Sequence, residues 1–180
     1  MTDTYDLIVI GGGSGGLACA QRAAEYGARA VVIESHRLGG TCVNVGCVPK
    51  KIMWNAAQIA HAVHDAADYG FSASLEGLDW PTLKRKRDEY VLRLNGIYER
   101  NLASRKVELI RGRASLAGPT AVEVGGRTVR GSALVIATGG QPIGRRFQEP
   151  SSASHRTDSS SCHPSRGASR SSAAAISPRN

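Results

Sequence analysis

The run Gly11-Gly-Gly-Ser-Gly-Gly16 limits what this chain can fold into more than any other stretch. It follows Thr4 to Ile10, an apolar and β-branched segment of the kind that forms a buried parallel strand. Leu17 to Tyr26 then carries Ala and Leu at helical spacing up to a stop signal at Gly27, and Ala30 to Glu34 reads as a second buried strand. The order is a βαβ unit, with its glycines at the first strand-to-helix turn. Gly11, Gly13 and Gly16 fit G-x-G-x-x-G. Without β-carbons such a turn can be tight and can approach a pyrophosphate at a helix amino terminus, where unpaired N–H groups and the helix dipole favour anions. Glu34 ends the second strand about 20 residues further on, where a carboxylate can accept from ribose hydroxyls. A glycine-rich turn without a ligand is the alternative, and it leaves the placing of Glu34 unexplained. FAD and NAD both satisfy the fingerprint.

From Cys42 or shortly after, the pattern turns helical through Ile52, Ala56, Ile59, Ala60 and Val63, and it breaks near Gly70. Trp80-Pro-Thr82 opens another helix that runs to about Ser104, with Pro81 in the first turn. Strands are expected at Val107 to Ile110, around Ala114 to Leu116, at Ala121 to Val124, at Arg127 to Arg130 and at Ser132 to Ala137. Gly125-Gly126 sits between two of these as a tight hairpin. The expected fold class is α/β, a Rossmann-like domain with a parallel sheet, covering helices and a small antiparallel β-meander. One such domain suits a chain of 180 residues and occupies 1–143. Residues 151–180 hold eleven serines and almost no apolar periodicity, so 144–180 is expected to be a disordered tail.

Cys42 and Cys47 stand five residues apart, too close to staple distant elements. A bridge between them has to cross a distorted helical turn or the loop entering a helix, with α-carbons within about 4.4–6.8 Å. Gly46 eases that bend, and Pro49 is compatible with an early helical turn but not a helix interior. A helix amino terminus close to Lys50 and Lys51 favours thiolate, the form that performs disulfide exchange. Zinc is the rival reading, but neither Cys19 nor His36, His61 and His64 form a ligand spacing with the pair. Cys19 lies on the apolar side of the first helix and reads as a packing residue.

The formal charge of +8 raises nucleic acid as a partner, yet half of it comes from residues beyond Gly144, where six arginines face Glu149 and Asp158. Lys84-Arg-Lys-Arg87 reads as the solvated face of a helix. No nucleic-acid or membrane partner is expected. Asp3 and Asp6 flank the only apolar run near the amino end, so a leader peptide is not expected and a cytoplasmic, reducing location is. There a close cysteine pair suits catalysis better than structure.

The fingerprint, the Cys42–Cys47 motif and Ala133-Leu-Val-Ile-Ala-Thr-Gly139 together resemble the pyridine-nucleotide disulfide oxidoreductases, over residues from about 4 to 142. Pro49-Lys-Lys-Ile-Met-Trp54 is similar to the glutathione reductases, with trypanothione reductases close by. Dihydrolipoamide dehydrogenases and mercuric reductases usually carry Ser-Lys after that proline. The resemblance implies an FAD site built from the fingerprint glycines Gly11, Gly13 and Gly16. In it Ser14 and Gly15 hold the pyrophosphate, Glu34 holds the ribose, and Thr41 and Cys42 line the cofactor. Ala114 matches an adenine-side backbone contact, and Thr138 and Gly139 are further cofactor contacts. It also implies that Cys42 and Cys47 form the redox disulfide. Cys47 is then the charge-transfer thiol, Cys42 the thiol that attacks glutathione disulfide, and Lys50 a neighbour of the flavin's reactive nitrogen. Ser14 and Tyr98 would meet the substrate, Tyr98 as its gate.

By the same resemblance, electrons pass from NADPH to the flavin, then to the disulfide and to glutathione disulfide. The family is homodimeric. One departure stands out: Gln21 replaces an arginine that meets a glutathione carboxylate in many glutathione reductases.

Family members continue with NADPH-binding, central and interface domains, and this chain is expected to lack them and to be incapable of full turnover alone. His163-Pro164 resembles the interface domain's His-Pro pair only superficially. Reading the tail one base upstream turns TCN serine codons into Phe, Leu, Ile or Val codons. Permitted wobble choices then yield family-like segments from Gln148 to Pro164 and, from Ser171 to Ser177, a strand entering a second glycine fingerprint. The expectation is a break of reading frame between about Ile143 and Phe147, which sequencing the gene would check.

Overall fold

Strand β1 (Asp3–Ile10) runs through the middle of the computed structural model, which describes residues 3–140. Helix α1 (Ser14–Glu25) carries the chain back to β2 (Ala30–Glu34), which pairs parallel to β1 from Leu7↔Ala30 to Ile10↔Ile33. Ile8, Val9, Val31 and Val32 are fully buried, as strands covered on both faces require. β3 (Glu108–Arg111) adds parallel to β2, and β6 (Arg127–Ile136) adds parallel to the other side of β1. β5 (Ala121–Val124) and β4 (Ser115–Gly118) continue the sheet antiparallel, giving the order β3-β2-β1-β6-β5-β4. This is the α/β, Rossmann-like arrangement with its antiparallel meander. Gly125 and Gly126 both have positive φ, 56° and 74°, and turn β5 into β6.

Alternate residues of the strands feed two cores, as the two-residue period of a strand dictates. Val9, Ala30 and Val32 pack with Leu17 and Ala20 of α1 and with Leu38, Leu102 and Val107. Ile8, Val31 and Ile33 face the other way and meet Val122, Val124 and Val129 of the meander, together with Tyr5. Cys19 is half-buried and outside both clusters.

Three expectations need correction. Arg127–Arg130 and Ser132–Ala137 form one strand, because Gly131 sits where a β-carbon would come within 2.9 Å of Ile8. That glycine lets β6 lie against β1 without interruption, while its N–H bonds the Thr120 carbonyl at 2.9 Å. The helix expected from Cys42 is two, α2 (Gly40–Asn44) and α3 (Cys47–Asp65), with the break at Val45-Gly46. α3 runs into a 3-10 turn, Ala66–Tyr69, that ends at Gly70.

The third correction concerns Arg87 on α4 (Trp80–Ser104), which is 1% exposed rather than solvated. Helical spacing puts it on one stripe with Val91, Asn95, Tyr98 and Leu102, the stripe that packs inward. Asp88 pairs with its guanidinium at 2.8 Å, and Lys86 keeps the solvated position. The expected domain boundary near residue 143 and the serine-rich stretch beyond it lie outside the described residues. Among the described residues no helix is long and apolar enough to cross a membrane.

Candidate cofactor and redox site

The carboxyl ends of β1, β2 and β6 open onto one cavity of about 1080 Å³. It lies where the chain, having moved from β1 to β2, later returns to β1's other edge. That switch point is where open α/β sheets bind ligands. Gly13, Ser14 and Gly15 come from the first turn, Glu34 from the end of β2, Thr41 and Cys42 from α2, and Ala137 to Gly140 from the end of β6.

Three glycines of the first turn, Gly11, Gly12 and Gly16, are required by a neighbour. A β-carbon on Gly11 (φ 109°) would lie 2.3 Å from the Ala137 carbonyl oxygen. One on Gly16 would lie 1.9 Å from the Gly11 oxygen, and one on Gly12 would strike Leu38 at 2.6 Å. At Gly15 nothing stands within 4 Å, so that position faces open space and the cavity. α1 begins here with Gly13 as its cap, no side-chain capping bond and no acid in its first turn. Its unpaired N–H groups and positive dipole end are therefore left for an anion. Glu34 Oε2 accepts from Gly12 N–H at 2.6 Å and Oε1 from His36 N–H at 2.7 Å. Each oxygen retains a lone pair for a ligand hydroxyl. A glycine cradle, a free helix amino terminus and a fixed carboxylate together fit the pyrophosphate and ribose of a dinucleotide such as FAD.

At the far wall, Cys42 is half-buried in the middle of α2, and Cys47 is exposed as the first residue of α3. Between them a β-carbon on Gly46 would meet the Thr41 oxygen at 2.8 Å and Cys42 Cα at 3.2 Å, so glycine lets the start of α3 close onto the Cys42 turn. Pro49 is buried in the first turn of α3, where it breaks no helical hydrogen bond. Gly46 caps α3 without a side-chain bond, and an anionic sulfur on Cys47 would stand at the helix's positive end. Among the described residues no group of three or more His, Cys, Asp or Glu is placed to hold a metal ion.

Of the residues singled out from sequence, Gly13, Ser14, Gly15, Glu34, Thr41, Cys42, Thr138 and Gly139 share the cavity wall. Gly11 and Gly16 lie behind it as packing contacts of the turn. Cys47, Lys50, Tyr98 and Ala114 are outside the wall: Lys50 is exposed on α3, Tyr98 packs against the α1-side core, and Ala114 packs against the opposite one. Gln21 is held by Arg105, whose guanidinium donates to its Oε1 at 2.6 Å and pairs with Glu25 at 3.3 Å. Sequence reasoning did not find the cavity contributions of His36, Arg37, Asn44, Asp88, Val91 and Leu92. For the three on α4 the only signal was the helical stripe through Arg87 and Val91, which the charge run obscured.

Fold and cavity define a dinucleotide-binding α/β domain with Cys42 in the wall of its ligand cleft. The chain belongs to the pyridine nucleotide-disulphide oxidoreductase family, whose model matches residues 5–170. It is 50% identical over 151 residues to a glutathione reductase of Schizosaccharomyces pombe, a match covering 79% of this chain. A glutathione reductase of Yarrowia lipolytica is 51% identical over 152 residues, covering 77% of this chain. The chain spans 32% of the length of each of these relatives. The family is one of enzymes, and its glutathione reductases use FAD and NADPH.

Proposed function

We propose that residues 3–140 form the FAD-binding portion of an NADPH-dependent glutathione-disulfide reductase, with Cys42 and Cys47 as its redox couple. The observation that carries this is one cavity whose wall includes both the glycine cradle and Cys42, with Cys47 at the start of α3, just past the Gly46 that packs against the Cys42 backbone. A bound flavin would supply the electron pair that reduces the Cys42–Cys47 disulfide. Ser14 and Gly15 would hold the pyrophosphate and Glu34 the ribose hydroxyls. Thr41, Thr138 and Gly139 would close the cleft around them, with Ala114 contributing on the adenine side.

The exchange with substrate needs only this chain's sulfurs. The Cys42 thiolate attacks one sulfur of glutathione disulfide, whose S–S bond breaks and releases one glutathione thiolate. Cys47 then attacks Cys42's sulfur in the mixed disulfide, releasing the second glutathione and leaving the protein disulfide. Lys50, one turn into α3, would add positive charge beside the flavin and the sulfurs, and Tyr98 and Ser14 would line the approach of glutathione disulfide. Gln21, held by Arg105, changes the substrate's carboxylate contact from an arginine to an amide.

NADPH-driven turnover is proposed for a protein of the relatives' full length, as are its homodimer and a cytoplasmic, reducing location. The test is chemical trapping. The reduced chain carrying Cys47→Ser, mixed with glutathione disulfide, should retain one glutathione on Cys42, found by peptide mass spectrometry. No glutathione on Cys42, or a mixed disulfide formed equally at Cys19 or Cys162, would contradict the assignment.

A further inference from the structure

The short α2 segment has to be held in place by something other than its own five residues, and the structure shows what does it. The segment from His36 to Asn44 leaves β2, forms the outer wall of the cavity and carries Cys42. Leu38 in its middle is 1% exposed, and its carbonyl accepts two amide hydrogen bonds, from Asn95 Nδ2 at 2.8 Å and from Asn44 Nδ2 at 3.0 Å. Asn95 Nδ2 also donates to Asn44 Oδ1 at 3.0 Å, and Asn44 Nδ2 to the Gly40 carbonyl at 2.9 Å. Asn95 belongs to α4, 51 residues along the chain from Asn44. One turn further along α4, Glu99 pairs with Arg111, whose guanidinium donates to the His36 carbonyl at 2.7 Å. The segment is thus gripped at His36, Leu38 and Asn44 by groups on or anchored to one face of α4. On its other side Gly39 N–H bonds the Gly12 carbonyl at 2.8 Å, so the grip extends to the fingerprint turn.

We infer that Asn95, with Asn44 as its relay, is a positioning residue that sets the place of the Cys42 segment against both Cys47 and the cofactor turn. This rests on the redox and cofactor reading above. Asn95 touches neither reacting group. It acts by fixing how near the two sulfurs stand, and that nearness sets the effective concentration of one thiol toward the other. Loosening the grip lowers that concentration, so the disulfide becomes easier to reduce. A residue that only stabilised the fold would change the melting temperature and leave this equilibrium alone.

The experiment compares the wild-type chain with Asn95→Asp, Glu99→Gln and, as a control on the solvated face of α4, Lys86→Ala. Asn95→Asp keeps the shape but has no N–H, and it turns oxygens toward the Leu38 carbonyl and Asn44 Oδ1. Glu99 is exposed, so Glu99→Gln tests the same grip in a chain that folds even if Asn95→Asp does not. Each protein is equilibrated in glutathione buffers, where one protein dithiol and one glutathione disulfide exchange to one protein disulfide and two glutathiones. Alkylation and mass spectrometry read the fraction oxidised, and flavin fluorescence reads FAD affinity.

The expected result for Asn95→Asp is an about tenfold fall in the constant for disulfide formation, equal to about 30 mV for this two-electron couple, together with weaker FAD binding. Glu99→Gln should shift both the same way by a smaller factor, and Lys86→Ala neither. Folded Asn95→Asp protein with both quantities unchanged, or an unchanged Glu99→Gln where Asn95→Asp does not fold, would overturn the inference alone. A wild-type chain that neither forms the disulfide nor binds FAD would overturn the reading beneath it as well.

Discussion

At the scale of single residues, the cradle rests on which glycines have room for a β-carbon and which do not. Gly15→Ala meets nothing within 4 Å and should leave the melting temperature close to wild type, yet it adds a methyl group to the cavity wall at the amino terminus of α1. Its FAD affinity, read by fluorescence titration, should fall by about tenfold or more, equivalent to about 1.4 kcal/mol. Gly16→Ala places its methyl 1.9 Å from a backbone oxygen, so the turn itself must move. Denaturant unfolding should then show a loss at or above the about 1–3 kcal/mol typical of overpacking. Gly46→Ala belongs with the second kind, and its particular effect is on the sulfurs. A methyl group 3.2 Å from Cys42 Cα would push α3 away from the α2 turn, and the Cys42–Cys47 disulfide should form more slowly in a timed alkylation assay. An unchanged rate would show that the break between the helices does not depend on glycine.

At the scale of elements, local signals told most of the story where they were not overruled by tertiary contacts. β2 and α4 lie where apolar patterning and Trp80-Pro81 place them, and the Gly125-Gly126 hairpin has the positive φ angles its residues imply. The α2–α3 break was harder to read, because Val45-Gly46 interrupts a pattern whose apolar residues stay in helical phase. Gly131 misled in the opposite sense, since a glycine inside a strand reads as a break until its neighbour Ile8 is known. Arg87 was read by its charge, whereas its place on the stripe with Val91 and Leu102 decided its burial. α4 also carries a pH-dependent feature at its start. Asp79 accepts from Thr82 N–H at 3.1 Å. Its carboxyl is held below the ordinary 3.8 by hydrogen bonds from Thr82, side chain first and then backbone, with Arg85's charge a smaller cause. A depressed carboxyl favours the fold above that ordinary value, and the contribution disappears as the pH falls through the lowered one. Asp79→Ala should therefore melt below wild type at neutral pH, and the gap should close on acidification below 3.8. A gap independent of pH would show that the ionised cap contributes nothing.

At the scale of the whole molecule, what sequence conveyed best was the cavity end of the sheet, because its glycines and strand-end carboxylate stand at the fixed offsets of a dinucleotide fingerprint. It conveyed least about the wall opposite, where α4 contributes Asp88, Val91 and Leu92 from a helix with no fingerprint of its own. The family membership and the cleft converge on one claim, that residues 3–140 bind FAD beside a redox-active cysteine pair. The most direct measurement is the flavin content of the purified, folded chain, taken from its visible absorption spectrum after incubation with FAD and removal of the excess. The account predicts about one FAD per chain, with Glu34→Ala and Gly15→Ala retaining less. A chain with native circular dichroism and no retained or titratable FAD would contradict it.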